Sequence, residues 1–437
     1  MRLKSTLLVL FAVSSSPNAL TLEESVTLSL DSSPSLLARY SRYESMVRDR
    51  NAINGSFLPQ VNLYAAAGYE GTRYNNGNYI DSEDRTLERT EMGVRISQLL
   101  FDGFKTSADV DRLSYEAEAE RLGLLASAEN VALDTVRAYV DVLHARELMK
   151  LTERNLNEHQ EIYRFILDKK EKGLTSNSDL AQVSSRVATT QSSLIAAQNN
   201  LSDARTRFVR LVGRAPQNLV EPVYPQELLP NKLDEALKQA VRLHPSIQSA
   251  MKDLEAARHE VKREKGDYYP ELKLELSANK TDNVDNIEGI NEDAKVMLTV
   301  NYDLFNGFST DSRVESSAWR VEEARAIRAN AELDANEGVR LAWDAHTLLQ
   351  QQMEFLKVNV DAAKVTELGY IQQFNVGRRS LLDVLDAKVE TFVARRNYTR
   401  TKYDHLVATY RLFNSMGILT YALRVEYPEN WKENNNG

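Results

Sequence analysis

The sequence predicts a mainly α-helical fold with membrane-type β-strands, built from one helix, hairpin, long helix, helix repeat used twice. Three observations carry this. Landmarks recur at fixed offsets: Gly173 and Gly377 lie 204 residues apart, as do Asp179 and Asp383, while Pro34 and Pro245 lie 211 apart, as do Pro59 and Pro270. Four runs of about ten residues alternate apolar and polar with period 2, the length of a tilted membrane-crossing strand. Between and after them lie stretches that are rich in helix formers and nearly free of Gly and Pro.

Composition narrows the function. The net charge of -9 leaves no basic stripe to neutralise phosphates, so nucleic acid is not expected as a partner. The chain has no cysteine, which excludes disulfides, thiolate metal sites and cysteine nucleophiles. His144, His159, His244, His259, His346 and His405 are scattered, with no pair at metal-ligand spacing. No Gly-rich phosphate loop, zinc-protease HExxH or serine elbow is present. An enzyme is therefore not expected, nor a cofactor.

In chain order, residues 1–19 read as a secretory signal: Arg2 and Lys4, then the apolar run Leu7 to Val13, then SSSPNA. It is too short to span a membrane, and no later run approaches the length of a transmembrane helix. The first repeat covers residues 20–213. Thr21 and Glu24 form a capping box before an amphipathic helix. Pro34 starts a second helix. The period then changes to 2 over about 58–70, where Val61, Leu63, Ala65, Ala67 and Tyr69 alternate with polar or small residues. After the polar loop RYNNGNYIDSEDR the alternation resumes over about 90–100. A helix of about 65 residues follows over 105–172, roughly 100 Å long. Gly173 breaks it. The pattern restarts over 177–213 with Leu180, Val187, Leu194, Leu201 and Phe208 seven apart, and Val183, Thr190, Ala197, Ala204 and Leu211 on the neighbouring row. That is a coiled-coil seam. Pro216, Pro222 and Pro225 mark a linker over 214–231.

The second repeat, 232–417, restates the first. Strands are expected over about 270–280 and 294–304, joined by the polar loop TDNVDNIEGINED, and helices over 309–375 and 380–417. Leu304-Phe305-Asn306-Gly307-Phe308 matches Leu100-Phe101-Asp102-Gly103-Phe104. The polar tail, 418–437, is expected to be loose. Four strands cannot close a barrel, and lipid tolerates no open sheet edge. Either the strands form a soluble sheet, or several chains pool them. Three chains give twelve strands, with Gln60, Asn62, Glu91, Arg95, Glu271, Lys273 and Glu275 turned to a wet lumen.

The segments FNVGRRSLLDVLDA, LLFDGFKTS and LFNGFSTDS, together with the duplicated layout, resemble the TolC family of outer-membrane channel proteins over residues 20 to 417. The resemblance implies a homotrimer: a twelve-stranded β-barrel in outer-membrane lipid, continued by a coiled-coil α-helical tunnel across the periplasm. It implies docking with a periplasmic adaptor (a membrane fusion protein) and an inner-membrane ABC or RND-type transporter, for type I protein secretion or small-molecule efflux. Without a cysteine to carry lipid, the chain is similar to the unlipidated branch. Its LFDGF and LFNGF pieces are most similar to secretion-type members. The competing reading is an exported coiled-coil scaffold or periplasmic adaptor with no pore.

Candidate site residues cluster at the two glycine breaks. Asp383 and Asp386, three apart, share a helix face, so three chains place six carboxylates around one axis. Such rings select cations, and mutual repulsion raises some of their pKa values. The resemblance implies that these two positions form the selectivity ring of the periplasmic entrance. It further implies a gate latch from Arg379 to Asp179, with Phe374 where relatives carry a tyrosine. The turns around Gly173, Leu174 and Thr175 and around Gly377 and Arg378 are then the adaptor-docking tip.

Overall fold

Helix is the dominant element because long stretches offer the backbone no breaker. The computed structural model describes residues 20–73, 84–285 and 287–432. The expected signal, 1–19, and residues 74–83 of the first polar loop lie outside them. The elements are α1 (Leu22–Ser32), α2 (Pro34–Asn54), β1 (Gln60–Arg73), β2 (Asp84–Phe101), α3 (Lys105–Glu171), α4 (Asn177–Val212), α5 (Leu233–Leu243), α6 (Pro245–Lys265), β3 (Glu271–Val284), β4 (Ile287–Asn301), α7 (Ser309–Asn375), α8 (Leu381–Ser415) and α9 (Leu419–Ala422). Among the described residues no helix is long and apolar enough to cross a membrane.

The two 67-residue helices, α3 and α7, occupy corresponding places in the two repeats. The Thr21 capping box forms with both of its hydrogen bonds. On α4 the rows expected from the heptads divide by size. Val183, Thr190, Ala197, Ala204 and Phe208 are buried, while Leu180, Leu194 and Val187 are only half-buried.

Contacts divide the chain into two units, each drawing on both repeats. The unit of residues 38–123 and 246–332 contains the sheet. Its order is β1-β2-β3-β4, antiparallel throughout. The register puts Gln60, Asn62, Glu91, Arg95, Glu271, Lys273 and Glu275 on one face. The opposite face carries Val61, Leu63, Tyr69, Met92, Val94, Leu276, Val296, Leu298 and Val300, all of them exposed. On the polar face Tyr64 and Arg89 both bond Glu91, and Arg89 also reaches Glu70 at 2.7 Å.

The strands run longer than the apolar alternation. The polar stretch expected as the second loop is mostly ladder, with β3 reaching Val284 and β4 starting at Ile287. Asn283, Asp285 and Gly289 take positive φ there, which reverses the chain tightly. A ladder needs backbone partners, not apolar side chains, so it continues past the apolar band.

The unit of residues 20–37, 124–245 and 333–432 is helical. Its core includes Leu22, Val26, Tyr139, Phe208, Tyr410, Leu412 and Phe413, all nearly inaccessible. The Tyr139 hydroxyl lies 2.8 Å from the Val220 carbonyl and accepts from the Val220 N–H, which pins the linker. The C-terminal segment corrects the expectation of a loose tail. Leu423, Val425 and Trp431 are buried. The buried Glu129 carboxylate accepts from the backbone N–H of Leu419 and Thr420 and from the Thr420 and Tyr427 hydroxyls. Four donors on one carboxylate hold the segment, despite its polar composition.

Candidate functional site

Two chain reversals, α3 to α4 and α7 to α8, have the same hydrogen-bond geometry at the 204-residue offset. Each helix ends in a Schellman motif. Gly173 has φ 71°, its N–H bonds the Lys170 carbonyl at 2.9 Å, and the Leu174 N–H bonds the Lys169 carbonyl at 2.8 Å. Gly377 has φ 74°, bonding Phe374 at 3.0 Å, and Arg378 bonds Gln373 at 2.8 Å. Glycine takes this left-handed conformation without steric cost.

Each following helix opens with a capping box. Ser176 accepts from the Asp179 N–H while Asp179 accepts from the Ser176 N–H. Ser380 and Asp383 do the same. The Thr175 hydroxyl adds a 2.7 Å bond to Asp179, and the Ser380 hydroxyl a 2.8 Å bond to Asp383. These donors hold both carboxyls below the usual range: Thr175 foremost for Asp179, Ser380 for Asp383. For Asp383 within one chain this runs opposite to the elevation expected from a crowded ring.

The expected site residues are only partly brought together. Within one chain Arg379 and Asp179 do not pair. The Arg379 guanidinium lies over the Tyr370 ring at 4.1 Å, donates from Nε to Gln373 at 2.9 Å, and approaches Asp383 at 3.9 Å. All three partners belong to its own helix pair, and Asp179 is occupied by its cap. Asp386 instead meets Arg186 of α4 at 3.0 Å, which joins the two helix pairs.

Phe374 packs rather than hydrogen-bonds. It lies against a cluster of Ile166, Val183, Leu381 and Leu385, in edge contact with Phe165 at 6.4 Å. Lys169 sits over both rings. Four helices meet in this cluster, so the two turns are held by a shared apolar core.

The second cross-link was not anticipated. Lys388 of α8 has a side chain only 10% exposed, with Nζ 2.8 Å from Glu158 of α3 and 2.9 Å from Glu367 of α7. Burial alone works against the ammonium, and the two carboxylates outweigh it and raise its pKa. The sequence signal was its place seven residues after Leu381, on the buried row, where a charge needs a partner. The caps were legible too, as Ser-x-x-Asp at 176–179 and 380–383. Leu174, Gly173, Gly377 and Arg378 are exposed at the turns, and Thr175 is half-buried.

Comparison with known proteins adds the family. The outer membrane efflux protein family fits residues 26–214 and 236–418, one span per repeat. The chain is 26% identical to the outer membrane efflux protein BepC of Brucella suis over 330 residues, covering 75% of this chain and 72% of that protein. It is 22% identical to the alkaline protease secretion protein AprF of Pseudomonas aeruginosa, covering 92% and 86%. Against the outer membrane protein TolC of Escherichia coli it is 21% identical, covering 89% and 80%. Its fold matches the Campylobacter jejuni CmeC outer membrane channel with a TM-score of 0.80 at 17% identity, over 91% of this chain and 86% of that one. The match to the outer membrane protein VceC of Vibrio cholerae has a TM-score of 0.75 at 16% identity, over 91% and 96%. With both repeats inside the matched residues, the chain belongs to the outer membrane efflux protein family, the TolC-type channels of the outer membrane.

Proposed function

We propose that three copies of this chain form one closed duct, with twelve pooled strands in the outer membrane and the helices continuing as a periplasmic tunnel. The observation that carries this is the sheet. Its edge strands β1 and β4 each have one unpaired side among the described residues, and its outward face is apolar and exposed, Leu63 and Tyr69 to 80%. Water disfavours that face and lipid disfavours those edges. Closure with further copies resolves both, and twelve is an even strand number of the kind such barrels use.

The paired turns form the entrance in this reading. Asp383 and Asp386 ring the opening, and the exposed turn residues meet a periplasmic adaptor that joins an inner-membrane ABC or RND-type transporter. Arg379 and Asp179, not paired within a chain, are left to meet between neighbouring chains. The names of the relatives support both efflux and protein secretion as the cargo class. The test is conductance of the purified full chain in planar bilayers, with tip-directed cross-linking to recover the adaptor. Discrete cation-selective steps are expected, and a chain that never conducts overturns the duct.

A further inference from the structure

We infer that the junction between the two repeats inside one chain is the template for the junction between chains, and that it fixes the register: Val300 of one chain lies opposite Ala65 of the next. The inference rests on the multi-chain reading above and adds its residue-level geometry. The duplication supplies the rule. Adding 211 to β1 numbers and 204 to β2 numbers turns the observed pair Gln60↔Ser97 into Glu271↔Asn301, which is itself observed in β3 and β4. The two hairpins are therefore equivalent residue for residue. Applying the same offsets to the β2–β3 pairing, with β2 moved onto β4 and β3 moved back onto β1, converts Ile96↔Leu276 into Val300↔Ala65. In the same way Val94↔Ala278 becomes Leu298↔Ala67, and Glu91↔Thr281 becomes Lys295↔Glu70.

Four features of the lone chain fit this register. It keeps apolar residues opposite apolar residues on the outward face. It sets Lys295 against Glu70 on the polar face. A slip of two residues, which preserves the faces, replaces Glu70 by Gly68 or Thr72 and loses the opposite charges.

The third feature is at the strand ends. A Cβ on Gly103 would lie 2.4 Å from the Gly266 carbonyl oxygen, and one on Gly266 would lie 2.8 Å from Lys105 Cβ. Backbone meets backbone there. The counterparts Gly307 and Gly55 have nothing within 4 Å. Gly307 has a reason of its own, φ 66°. Gly55 has neither a positive φ nor a crowding neighbour in its own chain, and the next chain's Ser309, counterpart of Lys105, supplies one.

The fourth feature is side-chain matching. The edge contact of Phe101 with Tyr269, at 6.4 Å, maps onto Phe305 and Leu58, which are exposed by 75% and 65% and bury each other in this register. The Lys105–Asp267 ion pair at 2.6 Å maps onto Ser309 and Ser56, so charge is exchanged for hydroxyl on both sides at once.

The test uses the absence of native cysteine in the full chain. Ala65→Cys with Val300→Cys is oxidised in the outer membrane beside the shifted pairs Ala65→Cys with Leu298→Cys and Ala65→Cys with Tyr302→Cys. The expected result is a covalent ladder of up to three chains, at least tenfold stronger for the first pair. Leu58→Cys with Phe305→Cys provides an independent pair should a strand substitution disturb folding, and it is expected to cross-link likewise. Stronger linking in a shifted register, or a stable oligomer that neither pair links, overturns the register. An unmodified chain that shows no oligomer before heating overturns the multi-chain reading itself, and the register with it.

Discussion

Asp383 and Asp386 are neighbours with different work. Asp383 completes a capping box, and Asp386 carries a counter-cation, Arg186, 3.0 Å away. Removing Arg186 as Arg186→Ala frees Asp386 toward the proposed opening, so cation over anion permeability is expected to rise, read from reversal potentials. Asp386→Asn is expected to lower it. An unchanged ratio in both variants removes Asp386 from the conduction path. The caps matter to stability instead: Ser176→Ala and Ser380→Ala should each cost about 1 kcal/mol in thermal unfolding. The roles were unevenly legible. The Ser-x-x-Asp spacing states the cap, because a cap is local. Arg186 sits 200 residues from its partner, and nothing local in the sequence reports that pairing.

At the scale of elements, two buried polar groupings join the long helices. Lys388 ties α8 to α3 and α7. Lys388→Met leaves Glu367, 11% exposed, without its cation, and is expected to cost about 2–4 kcal/mol, less than for a fully buried pair because Glu158 is 41% exposed. Lys388→Met with Glu367→Gln should recover most of that loss, and the single variant should also raise channel conductance if this pair holds the entrance shut. The second grouping is His346 stacked on His405, ring centroids 4.8 Å apart, with His346 bonding Thr409. Burial, and secondarily His405, pushes His346 down to about 4. The folded pKa is below the unfolded value near 6.5, so the unfolded chain binds more protons in that window and stability falls as pH drops from about 6.5 to about 4. A melting temperature that is flat over this window, or a slope that persists in His346→Phe, contradicts this. The helices themselves were legible from long runs without breakers. Strand ends and the packed C-terminal segment were not. Ladder hydrogen bonds leave no side-chain signature, and the four donors that hold Glu129 come from a segment of ordinary polar composition.

For the whole molecule, the duplication was the most informative feature of the sequence, since paired offsets survive where single motifs are ambiguous. The same offsets reappear in the strand registers and in the bonding of the two turns. What one chain does not express is closure: β1, β4 and the exposed apolar face point to copies of itself. Arg379 and Asp179 belong to that level too, since each finds local partners within the chain. The central claim is that three chains make one duct, and the mass of the intact detergent-solubilised particle tests it most directly. Native mass spectrometry is expected to give three chains per particle, falling to one after heating. A particle of one or two chains before heating contradicts the account.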